Sequence, residues 1–176
     1  SLEGPIIKDK TSFIIAGRRT YADFIVKPFM PASTDLTLYF YDLNAKINHK
    51  ISQNDRLYLS AYLGRDAFGV NYDSSLEGGK GNQNSSDNGI LNFGLGYGNI
   101  TSTLRWNHLF NNKLFSNTTF TFSRYSFNTD FGLTANQQLD NGDEITNINF
   151  GYLAGIEDIG ARIDFDYTPN PKHDIK

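Results

Sequence analysis

The side chains best suited to chemistry in this sequence are histidines and carboxylates, and their spacing equips them for very little. His49, His108 and His173 each lie beside a short polar turn and are not spaced as a metal triad, so they read as turn or interfacial histidines. Asp140-Asn141-Gly142-Asp143-Glu144 gathers three carboxylates but lacks the ligand spacing of a calcium loop, and reads as a solvated turn. Gly78-Gly79-Lys80-Gly81-Asn82 has the glycines of a phosphate loop without the Ser or Thr that must follow the lysine. It reads as a surface loop. The absence of cysteine excludes disulfides, thiolate metal sites and thiol nucleophiles. The expectation is a protein that is not an enzyme, with no catalytic residue, no metal site and no cofactor.

Charge is organised in a different way, on alternate positions of extended segments. Asp42, Lys46 and Lys50 share one parity within residues 39–51, while Tyr39, Tyr41, Leu43, Ala45, Ile47 and Ile51 share the other. A helix would mix these two sets around its circumference, whereas a strand puts one on each face. The pattern repeats as Leu57, Leu59, Ala61 and Leu63 against Tyr58, Ser60, Tyr62 and Gly64. It returns as Ile159, Ala161, Ile163, Phe165 and Tyr167 against Asp158, Arg162, Asp164 and Asp166. Arg105 holds the corresponding polar position opposite Leu104 and Trp106. Such charged faces cannot be buried dry. Asp42, Lys46, Lys50, Arg105, Asp158, Arg162, Asp164 and Asp166 are therefore expected on a solvated face, lining a lumen if the apolar parity faces lipid, with plain solvation of the wall as the alternative.

Two further strands are expected over about 91–110 and 114–131, with a bulge near Gly94 to Gly98, where the apolar parity changes. A first strand is expected over about 11–26, where Arg18 and Arg19 in succession leave its facing unassigned. Short polar links at 4–10, 53–55, 111–113 and 169–174 alternate with longer ones at 27–35, 71–89 and 134–144. In an up-and-down meander every second connection falls at the same end of the sheet, so tight turns collect at one end and long loops at the other. Outer-membrane barrels sort their connections in this way, and band aromatic residues at both membrane interfaces.

The global numbers fit. A chain of 176 residues with 16 basic and 19 acidic side chains has no basic excess for nucleic acid. No stretch approaches the roughly 18 apolar residues of a membrane helix. A mean hydropathy of -0.44 is compatible with a barrel wall, because its lumen-facing half is polar. Tyr21, Tyr39, Tyr41, Tyr58, Tyr62, Trp106 and Tyr167 suit interfacial girdles, with Tyr58 and Tyr62 on the lumen parity.

The opening residues, Leu2-Glu3-Gly4-Pro5-Ile6-Ile7-Lys8-Asp9-Lys10-Thr11-Ser12-Phe13 followed by Ala16-Gly17-Arg18-Arg19-Thr20-Tyr21, resemble the segment just after the plug in TonB-dependent outer-membrane receptors of the SusC-like branch. That resemblance implies an all-β, antiparallel up-and-down meander forming about six strands of a transmembrane barrel that has about 22 in this family. Residues 1–176 would then be a partial barrel domain, with the plug and remaining strands absent. It further implies import of an oligosaccharide or peptide across the cell outer membrane. The implied partners are outer-membrane lipid, the rest of the barrel and its plug, TonB through the missing N-terminal region, and a SusD-like surface lipoprotein. No TonB box or plug is present, and residues 172–176 are expected as a turn rather than a closing strand. The competing expectations are a complete small eight-stranded barrel with a structural or adhesive role and a soluble carbohydrate-binding β-sandwich.

Overall fold

β-branched and aromatic residues alternating with polar ones favour pleated, half-covered strands, and the computed structural model of the chain consists almost entirely of them. It describes residues 1–77, 88–139, 142–170 and 173–175. Its strands are β1 (Leu2–Ile7), β2 (Thr11–Arg19), β3 (Thr34–Lys50), β4 (Asp55–Asp73), β5 (Asn88–Asn111), β6 (Leu114–Leu139), β7 (Gly142–Asn170) and β8 (His173–Ile175). All pair antiparallel in sequence order in one sheet that does not close. Neither a complete eight-stranded barrel nor a sandwich describes it. Among the described residues there is no second layer, and Leu36 is the one buried hydrophobic side chain.

Several boundaries differ from expectation. The first turn is confined to Lys8–Lys10, because Gly4 to Ile7 pair in β1; Asp9 closes the turn at φ 60, a left-handed conformation that Asp tolerates. β2 ends at Arg19, and the expected continuation to residue 26 is instead a short helix, α1 (Ala22–Val26). The bulge near Gly94 to Gly98 is absent, since β5 pairs without a register shift there on both sides. The link at 134–144 is mostly strand, because the β6–β7 ladder runs to Leu139 opposite Gly142. Residues 173–175 form a strand rather than a turn. The loop at Gly78 to Asn82, and residues 140 and 141 of the carboxylate-rich turn, lie outside the described residues.

Side-chain hydrogen bonds build the tight turns. Asn111 Oδ1 accepts from the backbone N–H of Lys113 (2.8 Å) and of Leu114 (3.1 Å), which closes the β5–β6 turn. Ser52 Oγ accepts from the N–H groups of Asn54 and Asp55, both at 3.0 Å, and donates to Asp55 Oδ2 at 2.7 Å. The other oxygen, Asp55 Oδ1, accepts from Trp106 Nε1 (3.0 Å) and His108 Nδ1 (2.6 Å) across the β4–β5 ladder. Hydrogen bonds from His108, then Ser52, then Trp106 hold the Asp55 carboxyl below its ordinary value of 3.8.

A carboxyl with a lowered folded-state pKa contributes stability that is complete above its unfolded value and is lost as pH falls through the lowered folded one. Asp55→Asn should therefore lower the urea midpoint by a constant amount above about pH 5. The gap should close as pH falls below 3.8. A gap that stays the same down to pH 2 would show that the Asp55 charge plays no part.

Candidate functional site: two faces that exchange character

Register assigns every side chain of β2 to β7 to a face, because an unbroken ladder preserves parity. Leu43, Leu63 and Ile100 occupy one row, and Ala45, Ala61, Ser102, Phe122 and Ile159 occupy the next row toward the turns. Below them lie Ile47, Leu59, Leu104, Phe120 and Ala161, then His49, Leu57, Trp106, Thr118 and Ile163. This apolar face is exposed, with Ile159 at 82% and Ile163 at 60%. Register also settles the facing of β2. Phe13 and Ile15 stand beside Ile47 and Ala45 on the apolar face, and Arg18 stands beside Asp42 on the other.

The opposite face is concave, and adjoining clefts open on it. One of them, about 710 Å³, is lined by Lys46, Tyr58, Ser60, Arg105, Thr121, Arg162 and others drawn from β3 to β7. The side chains expected in a lumen share this face. Lys46 is in line with Ser60, Thr103, Thr121 and Gly160; Arg105 stands between Tyr58 and Thr119, with Arg162 next; Lys50 is in line with Asn107, Asn117 and Asp164. Asp42, Asp158 and Asp166 keep the same parity. Asp42 forms an ion pair with Arg18, and Arg162 Nε contacts Asp164 Oδ1 at 2.8 Å.

Tyr58 lies between two cations, with the Arg105 guanidinium 4.5 Å and the Lys46 ammonium 5.8 Å from its ring centroid. The face is polar but incompletely paired within the chain. Asn48 Oδ1, Asn99 Oδ1, Asn107 Oδ1, Asn117 Oδ1 and Arg105 Nε are covered without a hydrogen-bond partner. Such groups call for water or another polar segment against them. The three histidines stay apart as ligands: His49 bonds Thr11 Oγ1 (2.8 Å), His108 bonds Asp55, and His173 bonds Asn170 Oδ1 (2.8 Å). No cluster of metal-ligating residues occurs among the described residues.

Toward the other end of the sheet the two faces exchange character. There the concave parity carries Leu36, Leu38, Phe40, Phe68, Val70, Phe93, Leu95, Phe127 and Phe131. The convex parity carries Arg65, Asn71, Gly94, Gly96, Gly98, Asn92, Asn128 and Asp130. The parity change read as a bulge is this exchange, made by sequence along an unbroken strand. Strands of 17 to 29 residues from β3 to β7 are long enough to hold both zones.

Tyrosines and tryptophan mark the limits of the apolar zone. Tyr39 and Tyr41 stack at 6.3 Å on the convex face at its upper limit, while Trp106 and Tyr167 stand at its lower limit. Tyr58 and Tyr62 lie on the concave face.

In comparisons with known proteins, no protein-family model matches the chain and no curated relative aligns to it significantly.

Proposed function

We propose that this chain is part of the wall of a transmembrane β-barrel in the cell outer membrane, belonging to a TonB-dependent receptor of the SusC-like type that imports an oligosaccharide or peptide. The class of receptor, its cargo and its plug, TonB and SusD-like partners rest on the resemblance of the opening residues. The membrane-wall reading rests on one observation, the slope of the apolar zone.

On the convex face the upper limit of that zone is Tyr41 on β3, Leu63 on β4, Ile100 on β5, Phe122 on β6 and Ile159 on β7. In register the Ile159 position lies four residues below that of Tyr41, across four strand spacings. One residue of about 3.3 Å per spacing of about 4.8 Å is a slope of about 35°. Barrel strands tilt by about 35–45° from the membrane normal, so a flat bilayer boundary must cross their register rows at that slope.

The height agrees as well. From Ile159 to Tyr167 is about 26 Å along the strand, or about 22 Å along the normal at that tilt, against an apolar band of about 25 Å in known barrels. Above the band the convex parity of β4 to β6 is mostly polar or glycine, as a surface that meets water requires. Below Arg65 and Arg124 it is apolar because it meets hydrocarbon. The uncovered edges of β1 and β8 would be costly in lipid, so further strands of the same barrel complete the wall.

The sequence has no cysteine, so single cysteines report cleanly. In a bilayer, cysteines replacing Ser60, Thr103 and Thr121 should react with a water-borne maleimide, whereas those replacing Ala61, Leu104 and Phe120 should be protected. Equal reactivity in the two sets would remove the wall reading.

Ile163→Arg near mid-band should cost about 2–4 kcal/mol of stability in lipid. Its neighbour Asp164→Arg should cost no more than about 1 kcal/mol, by losing the exposed pair with Arg162. Unfolding titrations in bilayers distinguish the two. Equal costs would show that the faces are misassigned.

A further inference from the structure

One ordered feature of the convex face lies outside the apolar zone and directly on its border. On three alternate strands the first charged residue above the zone is an arginine: Arg19 on β2, Arg65 on β4 and Arg124 on β6. Arg19 and Arg65 flank Tyr41 in one register row, and Arg124 stands one convex position lower, opposite Ile100. That offset has the same sense as the slope of the apolar border, so the three follow the border. Alternate strands place them about 10 Å apart sideways.

Their surroundings leave them available. Arg65 has no ion pair among the described residues. Arg124 has one carboxylate near it, Glu157, at the long distance of 3.9 Å. Arg19 lies over the Tyr21 and Tyr39 rings at 5.2 and 5.5 Å, which fixes the guanidinium without neutralising it. Between Arg65 and Arg124, β5 presents Gly98 and Gly96, over which the Ser126 hydroxyl and the Asn128 carboxamide lie, so no charged or bulky side chain separates the two arginines. The opposite border has no arginine on this face, and its charged group is the carboxylate of Asp55, engaged by Trp106 and His108.

We infer that the Arg19, Arg65 and Arg124 row binds the phosphate headgroups of anionic lipid in the leaflet at the end of the sheet away from the tight turns. The inference rests on the wall reading above and adds the lipid chemistry. Guanidinium forks match phosphate oxygens two at a time. A group that binds lipid phosphate must sit where these three sit, one position beyond the hydrocarbon and on the face that meets it.

The test uses the full chain, diluted from urea into vesicles of phosphatidylcholine alone or of phosphatidylcholine mixed with phosphatidic acid, with partition read by co-sedimentation and strand content by circular dichroism. The wild type should co-sediment with both and favour the anionic vesicles. Arg65→Gln/Arg124→Gln should keep the strand signal and lose about 30-fold of that preference, from two surface cations. Arg56→Gln, on the concave parity beside Lys50, should leave the preference unchanged.

Retained preference in the double variant, equal loss in Arg56→Gln, or abolition by millimolar inorganic phosphate would overturn the arginine assignment. Co-sedimentation with neutral vesicles without anionic preference would overturn it too, while leaving the wall reading in place. Failure to co-sediment with either vesicle would bring down both, since the exposed apolar face alone should bind lipid.

Discussion

Everything in this molecule depends on an uninterrupted antiparallel ladder. From β2 to β7 the register shifts once, at Leu109 and Asn111 beside a turn. Because the side-chain period is two, a ladder without slips converts each sequence position into a face and a height. A single one-residue shift in β5 would move Ile100, Leu104 and Trp106 to the concave side and Arg105 to the convex one. With one buried hydrophobic residue among those described, no packed core corrects such an error. The ladder therefore carries the specificity that a core carries elsewhere, and the Asn111 and Ser52 hydrogen bonds matter because they set where two of its hairpins begin.

The two-zone pattern comes from long strands whose sequence reverses which parity is apolar part-way along. Near the tight turns the convex side chains are aliphatic or aromatic and the concave ones carry Lys46, Arg105, Arg162 and Asp164. Farther along, Leu36, Phe40, Phe68 and Phe93 move to the concave side, and Arg65, Asn92 and Asp130 to the convex side. No bulge is needed, because the strand stays regular and only the order of residue types changes. The same regularity makes the oblique apolar border measurable: a slope in register units has meaning only where the register is continuous. On the proposed wall reading the border connects sequence to function, since it would convert the positions of Tyr41, Leu63, Phe122 and Ile159 into the orientation of the sheet in a bilayer.

The concave polar surface has a different energetic character. Its charges are distributed along with hydroxyls and amides, and Tyr58 sits between Lys46 and Arg105. Exposed ion pairs such as Arg162–Asp164 add little stability in water. The partnerless Asn48, Asn99, Asn107 and Asn117 oxygens indicate a face made to meet water or polar protein.

By itself the sequence determined the all-β class, the meander, the tight turns at 53–55 and 111–113, and the parity of Asp42, Lys46, Arg105 and Asp164. Alternation and turn chemistry are local, so they can be read within a few residues. Only the tertiary structure decided the facing of β2, since neither parity there is cleanly apolar and the ladder to β3 breaks the tie. The ladder also decided that β6 and β7 pair through 134–139, where the polar composition by itself predicts a loop. Pairing with a neighbouring strand, rather than hydrophobicity, holds that segment extended. Finally, the border slope and the Arg19, Arg65 and Arg124 row compare residues more than a hundred positions apart. Only their heights across neighbouring strands bring them into one line.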